Sequence, residues 1–368
     1  MENQPVFMLS PCGTSLLTNG ADRDLQFLIR KYANSIKEDK IPANDLAILK
    51  KRIKDIANKL TDADTNLVKK MSAELNGILM FYDNYPSNKQ DQHYLLSTDT
   101  WLGEQTAKLV KKWLTKNGCQ TEVRRQKDLN TSDILTFQMG LSDFVKFSDE
   151  TITGYHNNGY HVVFNLTGGF KSVQGFLQAL GMFYADESVY IFETGNQLLR
   201  LPRLPLKMSF EETIKENLKI IRRLSVNLPV EKDATSKLPE TMLFEMGGSI
   251  CLSPWGGIIW NETKKQIYRM EIYAAPSKKI AYGDKFLKSV EGLSSDRNYN
   301  INDKIDDLMV YLETNQNLKS LDFKSLTGNP KPPSTYEIDA WADRDAKRIF
   351  GHYEGELFIL DKLDKALH

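Results

Sequence analysis

From Val162 to Ser172 the chain reads VVFNLTGGFKS, residue types whose order suits phosphate binding. Val162, Val163 and Phe164 read as a buried strand that runs into Asn165, Thr167, Gly168 and Gly169. An amphipathic helix follows, with Phe170, Val173, Phe176, Leu177 and Leu180 on its apolar face. A glycine-rich turn between a strand's carboxyl end and a helix's amino end leaves backbone N–H groups free, and the helix dipole adds partial positive charge. Lys171 brings a full charge, and Asn165, Thr167 and Ser172 bring neutral hydrogen-bonding groups. A second such stretch lies near the start, where the short apolar strand Val6–Leu9 leads into SPCGTSLLTN, residues 10–19. Two such turns on one parallel sheet would face one crevice at the strands' carboxyl ends. The plainer alternative is that Gly168 and Gly169 only turn the chain and Lys171 is solvated.

These turns need a sheet to hold them, and the length allows one. The chain has 368 residues, 41% of them hydrophobic, enough for two domains with real cores. Lys plus Arg and Asp plus Glu are equal at 48 each, so no global basic field points to nucleic acid and a polyanion site must be local. Three widely spaced cysteines give neither a disulfide framework nor zinc spacing. No signal pattern opens the sequence, and no apolar run approaches the roughly 18 residues of a membrane span. The expectation is a soluble cytoplasmic protein with no membrane or DNA partner.

Strands are predicted at His93–Leu96, Thr121–Arg125, Tyr160–Leu166, Val189–Glu193 and Leu198–Leu201, the last after a turn containing Asn196. Helical patterns lie between them, so the fold class is α/β with a mostly parallel, Rossmann-like sheet. Helices across about 43–82 read as an insertion that serves as solvated cover. Residues 1–228 are expected to form this domain and 229–276 a linker and β-hairpin connector, its hairpins spanning Met242–Tyr268. Residues 277–368 are expected to form a small α+β domain. There, helices at Asp284–Val290 and Ile301–Thr314 precede an antiparallel meander of Tyr336–Trp341, Lys347–Tyr353 and Glu356–Leu363, with His352–Gly355 as a turn.

Taken together, SPCGTSLLTN and FNLTGGFKS resemble the CARF domains of CRISPR systems, and within them the ring-nuclease-like group, over about residues 1–225. That resemblance implies a homodimer binding cyclic oligoadenylate in a shared cleft. Ser10, Thr14, Ser15, Asn165, Thr167, Gly168, Gly169 and Lys171 would line it. A ligand with repeated phosphates matches a dimer that presents each turn twice.

Further on, KKIAYGDKFLKSVEGL, a helix, and YEIDAWADRDAKRIFGHYEGELFILDKLDKALH resemble the RelE-type toxin fold over about Ser277–His368. The resemblance implies metal-independent cleavage of messenger RNA in the ribosomal A site, by attack of the RNA's own 2′-hydroxyl. Arg348 would hold the phosphate and Lys365 and Lys362 would stabilise charge or act as acid. His352 or His368 would exchange protons, and Glu337 or Asp339 would act as base. The departure is in charge: from Ser277 onward there are 14 basic and 16 acidic residues. Such a domain is expected to bind naked RNA weakly. Both halves together imply a CRISPR-associated messenger-RNA nuclease that needs no cofactor or metal, is activated by cyclic oligoadenylate, the tetra-adenylate in particular, and acts with the ribosome as partner. The alternatives are a ring nuclease using Ser10 and Lys171, and a non-enzymatic ligand-gated sensor.

Overall fold

A computed structural model of the chain describes residues 4–84, 90–192, 197–204, 210–328 and 331–366. It divides into two compact units, Met1–Lys207 and Met208–His368. The expected Asn196 turn and His368 lie outside the described residues.

The first unit is built on six strands: β1 (Val6–Cys12), β2 (Gln92–Ser97), β3 (Gln120–Arg125), β4 (His161–Asn165), β5 (Glu187–Ile191) and β6 (Leu198–Pro202). Their order is β3-β2-β1-β4-β5-β6, all parallel except β6, which runs antiparallel to β5. Helices cover both faces, so the strands alternate between two apolar layers. Met8, Leu95, Val163 and Val189 pack against the helices Ala43–Asp62, Ala73–Phe81 and Trp101–Lys116. On the other face Phe7 stacks on Tyr155 at 4.4 Å and Tyr94 on Phe147 at 5.1 Å.

Two expectations change here. β1 continues to Cys12, so Ser10 is paired within the sheet opposite Leu95 rather than standing in a turn. The 43–82 helices are not simply solvated cover. Leu49, Ile56, Leu75, Ile78 and Leu79 are buried, and the Ala73–Phe81 helix touches β1, β4, β5 and β6. The polar residues that suggested cover lie mostly on the first of these helices. The last carries an almost uninterrupted apolar run, as a helix lying on a sheet must.

The second unit begins before the expected boundary at 228. The helices Glu211–Glu216 and Leu218–Ser225 bury Ile214, Ile221 and Leu224 against Trp260, Ile267 and Tyr268. One short hairpin is present, β7 (Leu243–Met246) with β8 (Ser249–Leu252). The rest of the expected hairpin region is a helix, Pro254–Met270. Ser253 caps it by accepting from the Gly256 N–H at 3.0 Å, and Pro254 stands at its first position. Gly256 is there for close approach, because a Cβ would lie 2.2 Å from the Met242 carbonyl oxygen. Gly256 is therefore a packing glycine, whereas Gly247 and Gly248 do turn the chain between β7 and β8.

A five-stranded sheet follows, in the order β10 (Lys324–Ser325), β11 (Tyr336–Trp341), β12 (Lys347–Glu354), β13 (Leu357–Lys365) and β9 (Ile280–Tyr282). It is antiparallel except that β9 runs parallel to β13, so the sheet is mixed. His352 lies within β12, since the strand runs to Glu354 and the turn falls at Gly355 and Glu356. Ile338, Ala340, Ile349, Phe358, Leu360 and Leu363 face the helices Asp284–Val290 and Ser295–Thr314.

A buried ion pair ties the two cores of this unit together. The fully buried Arg222 donates through Nε to Asp306 Oδ1 at 2.7 Å and through Nη1 to the Ala274 carbonyl at 3.0 Å, while Tyr268 donates its hydroxyl to Asp306 Oδ2. Removing one partner of such a pair strands the other charge, at a cost of about 3–5 kcal/mol. Asp306→Ala should lower the stability of the second unit by that amount in urea denaturation. A loss within about 0.5 kcal/mol, the range of an ordinary surface change, would show that Arg222 re-pairs freely.

Candidate functional site

The sheet order reverses between β1 and β4, whose flanking crossovers run in opposite directions. Open α/β sheets bind ligands at the carboxyl ends of strands at such a point. Both turns singled out from the sequence lie there, and their backbones touch. A Cβ on Gly13 would stand 3.2 Å from the Gly169 Cα, and Gly169 itself adopts φ +99°, packed against Pro11. Only glycine tolerates that combination of positive φ and close approach.

The side chains around this contact divide into two groups. Ser10 and Asn165 are completely buried, and Asn165 Nδ2 donates to Ser10 Oγ at 3.2 Å and to the Glu74 carbonyl at 3.0 Å. They fasten β1 to β4 and to the Ala73–Phe81 helix and do not face the opening, which corrects the expectation that they line the cleft. Gly168 is buried as well. Thr14, Ser15, Thr167 and Gly169 are half-buried, and Lys171 is exposed as the first residue of the 14-residue helix Lys171–Tyr184. Gln174 Nε2 holds the turn by donating to the carbonyls of Leu166 at 3.0 Å and Gly168 at 2.8 Å. The buried Thr167 Oγ1 has no hydrogen-bond partner among the described residues.

Sequence reasoning missed Glu74, the central residue of the site. It is fully buried. Its Oε1 accepts from the Gly13 N–H at 2.8 Å, and its Oε2 accepts from Ser15 Oγ and Ser72 Oγ, each at 2.8 Å. Gly168 makes room for it, since a Cβ there would lie 2.5 Å from the Glu74 carboxyl carbon. A signal was present in the sequence: Ser72 caps a helix by accepting from the Leu75 N–H at 3.2 Å, and Glu74 is the one acid in the apolar run that follows.

Residues 69–204 match a family model, that of a CRISPR-associated protein (Cas_APE2256). This is a CARF-domain family. The matched stretch holds β2 to β6, the second turn and Glu74, so this part of the first unit is CARF-like. No curated protein matches the chain. Among the described residues no helix is long and apolar enough to cross a membrane.

In the second unit, the residues expected to cut RNA gather in part around a cleft of about 650 Å³. Arg348, Glu337, Asp339, Lys324 and Lys347 line it, with Trp341. Arg348 is caged by carboxylates: Asp339 at 2.9 Å, Glu337 at 3.0 Å and Asp322 at 3.2 Å. The contact from Arg348 Nη1 to Glu337 lacks hydrogen-bond alignment, and Glu337 Oε2 also has no partner among the described residues. Asp343 and Asp345, close to Arg348 in sequence, are not among these three acids, because β11 sets Asp339 directly across from Arg348. Asp343 instead meets Arg297 at 2.5 Å.

The two lysines are not held together with Arg348. Lys362 is exposed and pairs with Asp364 at 3.0 Å, an acid also held by Lys331 at 2.6 Å; the Lys331 hydrogen bond is the main reason its carboxyl sits well below the usual range. Lys365 is the cross-strand partner of Lys347 and does not line the Arg348 cleft. His352 Nδ1 meets Asp361 Oδ2 at 2.9 Å, and that hydrogen bond raises its pKa.

Two experiments follow from this geometry. A Cβ on Gly77 would fall 2.1 Å from Asn165 Oδ1, whereas one on Gly175 meets nothing within 4 Å. Gly77→Ala should therefore cost about 1–3 kcal/mol through overpacking, and Gly175→Ala should gain about 0.5–1 kcal/mol in its helix. Equal effects in urea denaturation would refute the close approach of the Ala73–Phe81 helix to Asn165. For His352 the raised pKa means that its contribution to stability is complete below about pH 6.5, the unfolded value. That contribution disappears as pH rises through the higher folded value. Stability of the wild type relative to His352→Asn should fall across that window and be flat below it, as read by denaturation at several pH values.

Proposed function

We propose that this chain is a cyclic oligoadenylate sensor of CRISPR defence, working as a homodimer, whose second unit cuts messenger RNA on the ribosome when ligand binds. The observation that carries the sensor reading is the backbone contact of the Gly13 and Gly169 turns at the sheet's switch point. The match of residues 69–204 to a CRISPR-associated family supports it. Thr14, Ser15, Thr167 and Lys171 are the groups that meet the ligand's phosphates, and cyclic tetra-adenylate is the ring size proposed. Ile134, Leu135 and Met139, exposed near the start of one helix, offer apolar surface for a second copy.

The nuclease reading rests on the RelE resemblance and on the Arg348 cleft. A planar guanidinium beside three carboxylates contains the cation and a base, the two groups that attack by a 2′-hydroxyl requires. Three acids neutralise Arg348 in this arrangement, so activation has to free its fork, and the ribosome has to bring the message to a face that repels phosphate. The same cage favours a second reading, in which the unit binds a partner without cutting RNA. The burial of Ser10 argues against a ring nuclease that uses its hydroxyl.

Labelled RNA incubated with ribosomes, with and without cyclic tetra-adenylate, decides between these readings. Cleavage is expected only when ribosomes and ligand are both present. Arg348→Ala should slow it by a factor of about 10² to 10³ and leave calorimetric ligand binding intact. The double change Thr167→Ala and Lys171→Ala should weaken binding by about 2 kcal/mol or more. Ligand binding with no cleavage would favour the partner-binding output, and no binding at all would remove the sensor.

A further inference from the structure

A buried carboxylate surrounded by three donors marks where an oxyanion is stable. The Gly13 N–H, Ser15 Oγ and Ser72 Oγ converge on Glu74, each at 2.8 Å, at the carboxyl end of β1 and against Gly168 of the second turn. We infer that these three donors form an oxyanion subsite of the ligand cleft, that Glu74 is its resident occupant, and that a ligand phosphate must displace Glu74 to enter.

The inference rests on the sensor reading and adds to it a gate. A phosphate oxygen bonded to Gly13 N–H would occupy the position of Glu74 Oε1, and two anions cannot share one set of donors without strong repulsion. Glu74 has little freedom to step aside alone. It sits in the first turn of the Ala73–Phe81 helix, next to the Ser72 cap, and its carbonyl accepts from Asn165 Nδ2. Expelling its carboxylate therefore shifts that helix, which lies on β1, β4, β5 and β6. Thr167 Oγ1, unpartnered beside the same helix at Gly77, is a donor ready for the incoming group. The arrangement makes ligand entry and helix movement one event, a two-state element biased by differential contacts.

Glu74→Gln tests this with little change of shape. Its amide oxygen can still accept from Gly13 N–H and its amide nitrogen can donate to Ser15 Oγ, while the competing charge is gone. Wild type, Glu74→Gln and Glu74→Ala are titrated calorimetrically with cyclic tetra-adenylate and, separately, with inorganic pyrophosphate. The expected result is about tenfold or greater tightening of both ligands in Glu74→Gln, the effect of removing one adjacent like charge. Should Glu74→Gln fail to fold, a gain in Glu74→Ala supports the gate equally, and no gain there overturns it. If the wild type binds cyclic tetra-adenylate and the folded variants bind it no better, the gate is wrong and the sensor reading stands. If no protein binds the cyclic ligand yet pyrophosphate binds the variants more tightly, the subsite stands and the sensor reading falls. Binding of neither ligand to any of them overturns both.

Discussion

One carboxylate holds the carboxyl edge of the first sheet together. Glu74 is taken fully out of water, which is tolerable only because three donors meet it, one a backbone N–H and two serine hydroxyls. Those donors come from the turn after β1 and from the cap of the Ala73–Phe81 helix, while Gly168 of the turn after β4 packs against the same group. Three segments distant in sequence are thereby fixed at the switch point. The glycines belong to the same packing: a Cβ on Gly77 or Gly168 would strike Asn165 or Glu74, one on Gly13 would press on the Gly169 backbone, and one on Gly169 would meet the Pro11 ring. Ser10 and Asn165 are one layer deeper and lock the same strands from below.

The second unit places its buried charge differently. Arg222 and Asp306 pair inside the protein and join the connecting helices to the long helix beneath the mixed sheet. That sheet has an apolar face on its helices and a charged face opposite. On the charged face Arg348 is outnumbered by three acids, Lys324 pairs with one of them, Asp322, and Lys331 and Lys362 share Asp364. Its excess of acidic residues thus has a location, around the very arginine expected to hold RNA. A surface of this kind gains phosphate affinity only after rearrangement or from a partner.

Much of the fold was legible because its signals are local. Alternating strands and helices and apolar spacing in the Lys171–Tyr184 helix need only neighbouring residues to be read. The errors came where local patterns have two solutions. Gly256 looks like part of a turn until the Met242 backbone is seen pressing on the helix, and β1 appears to end at Leu9 until Ser10 pairs with Leu95. His352 reads as a turn residue because Gly355 follows so closely, yet the strand pairs through Glu354.

The sequence by itself determined that two polar glycine turns end two strands of one parallel sheet, because strand, turn and helix are each written in adjacent residues. Tertiary structure alone decided what fills those turns. Glu74 lies 61 residues from Gly13 and far from Gly168, and no local pattern announces that its side chain will meet them. The same holds for Arg348 on β12, whose acids come from β11, which carries Glu337 and Asp339, and from Asp322 ahead of β10. A side chain's type limits the chemistry it can do, but its partners are set by packing between segments that only the folded chain brings into contact.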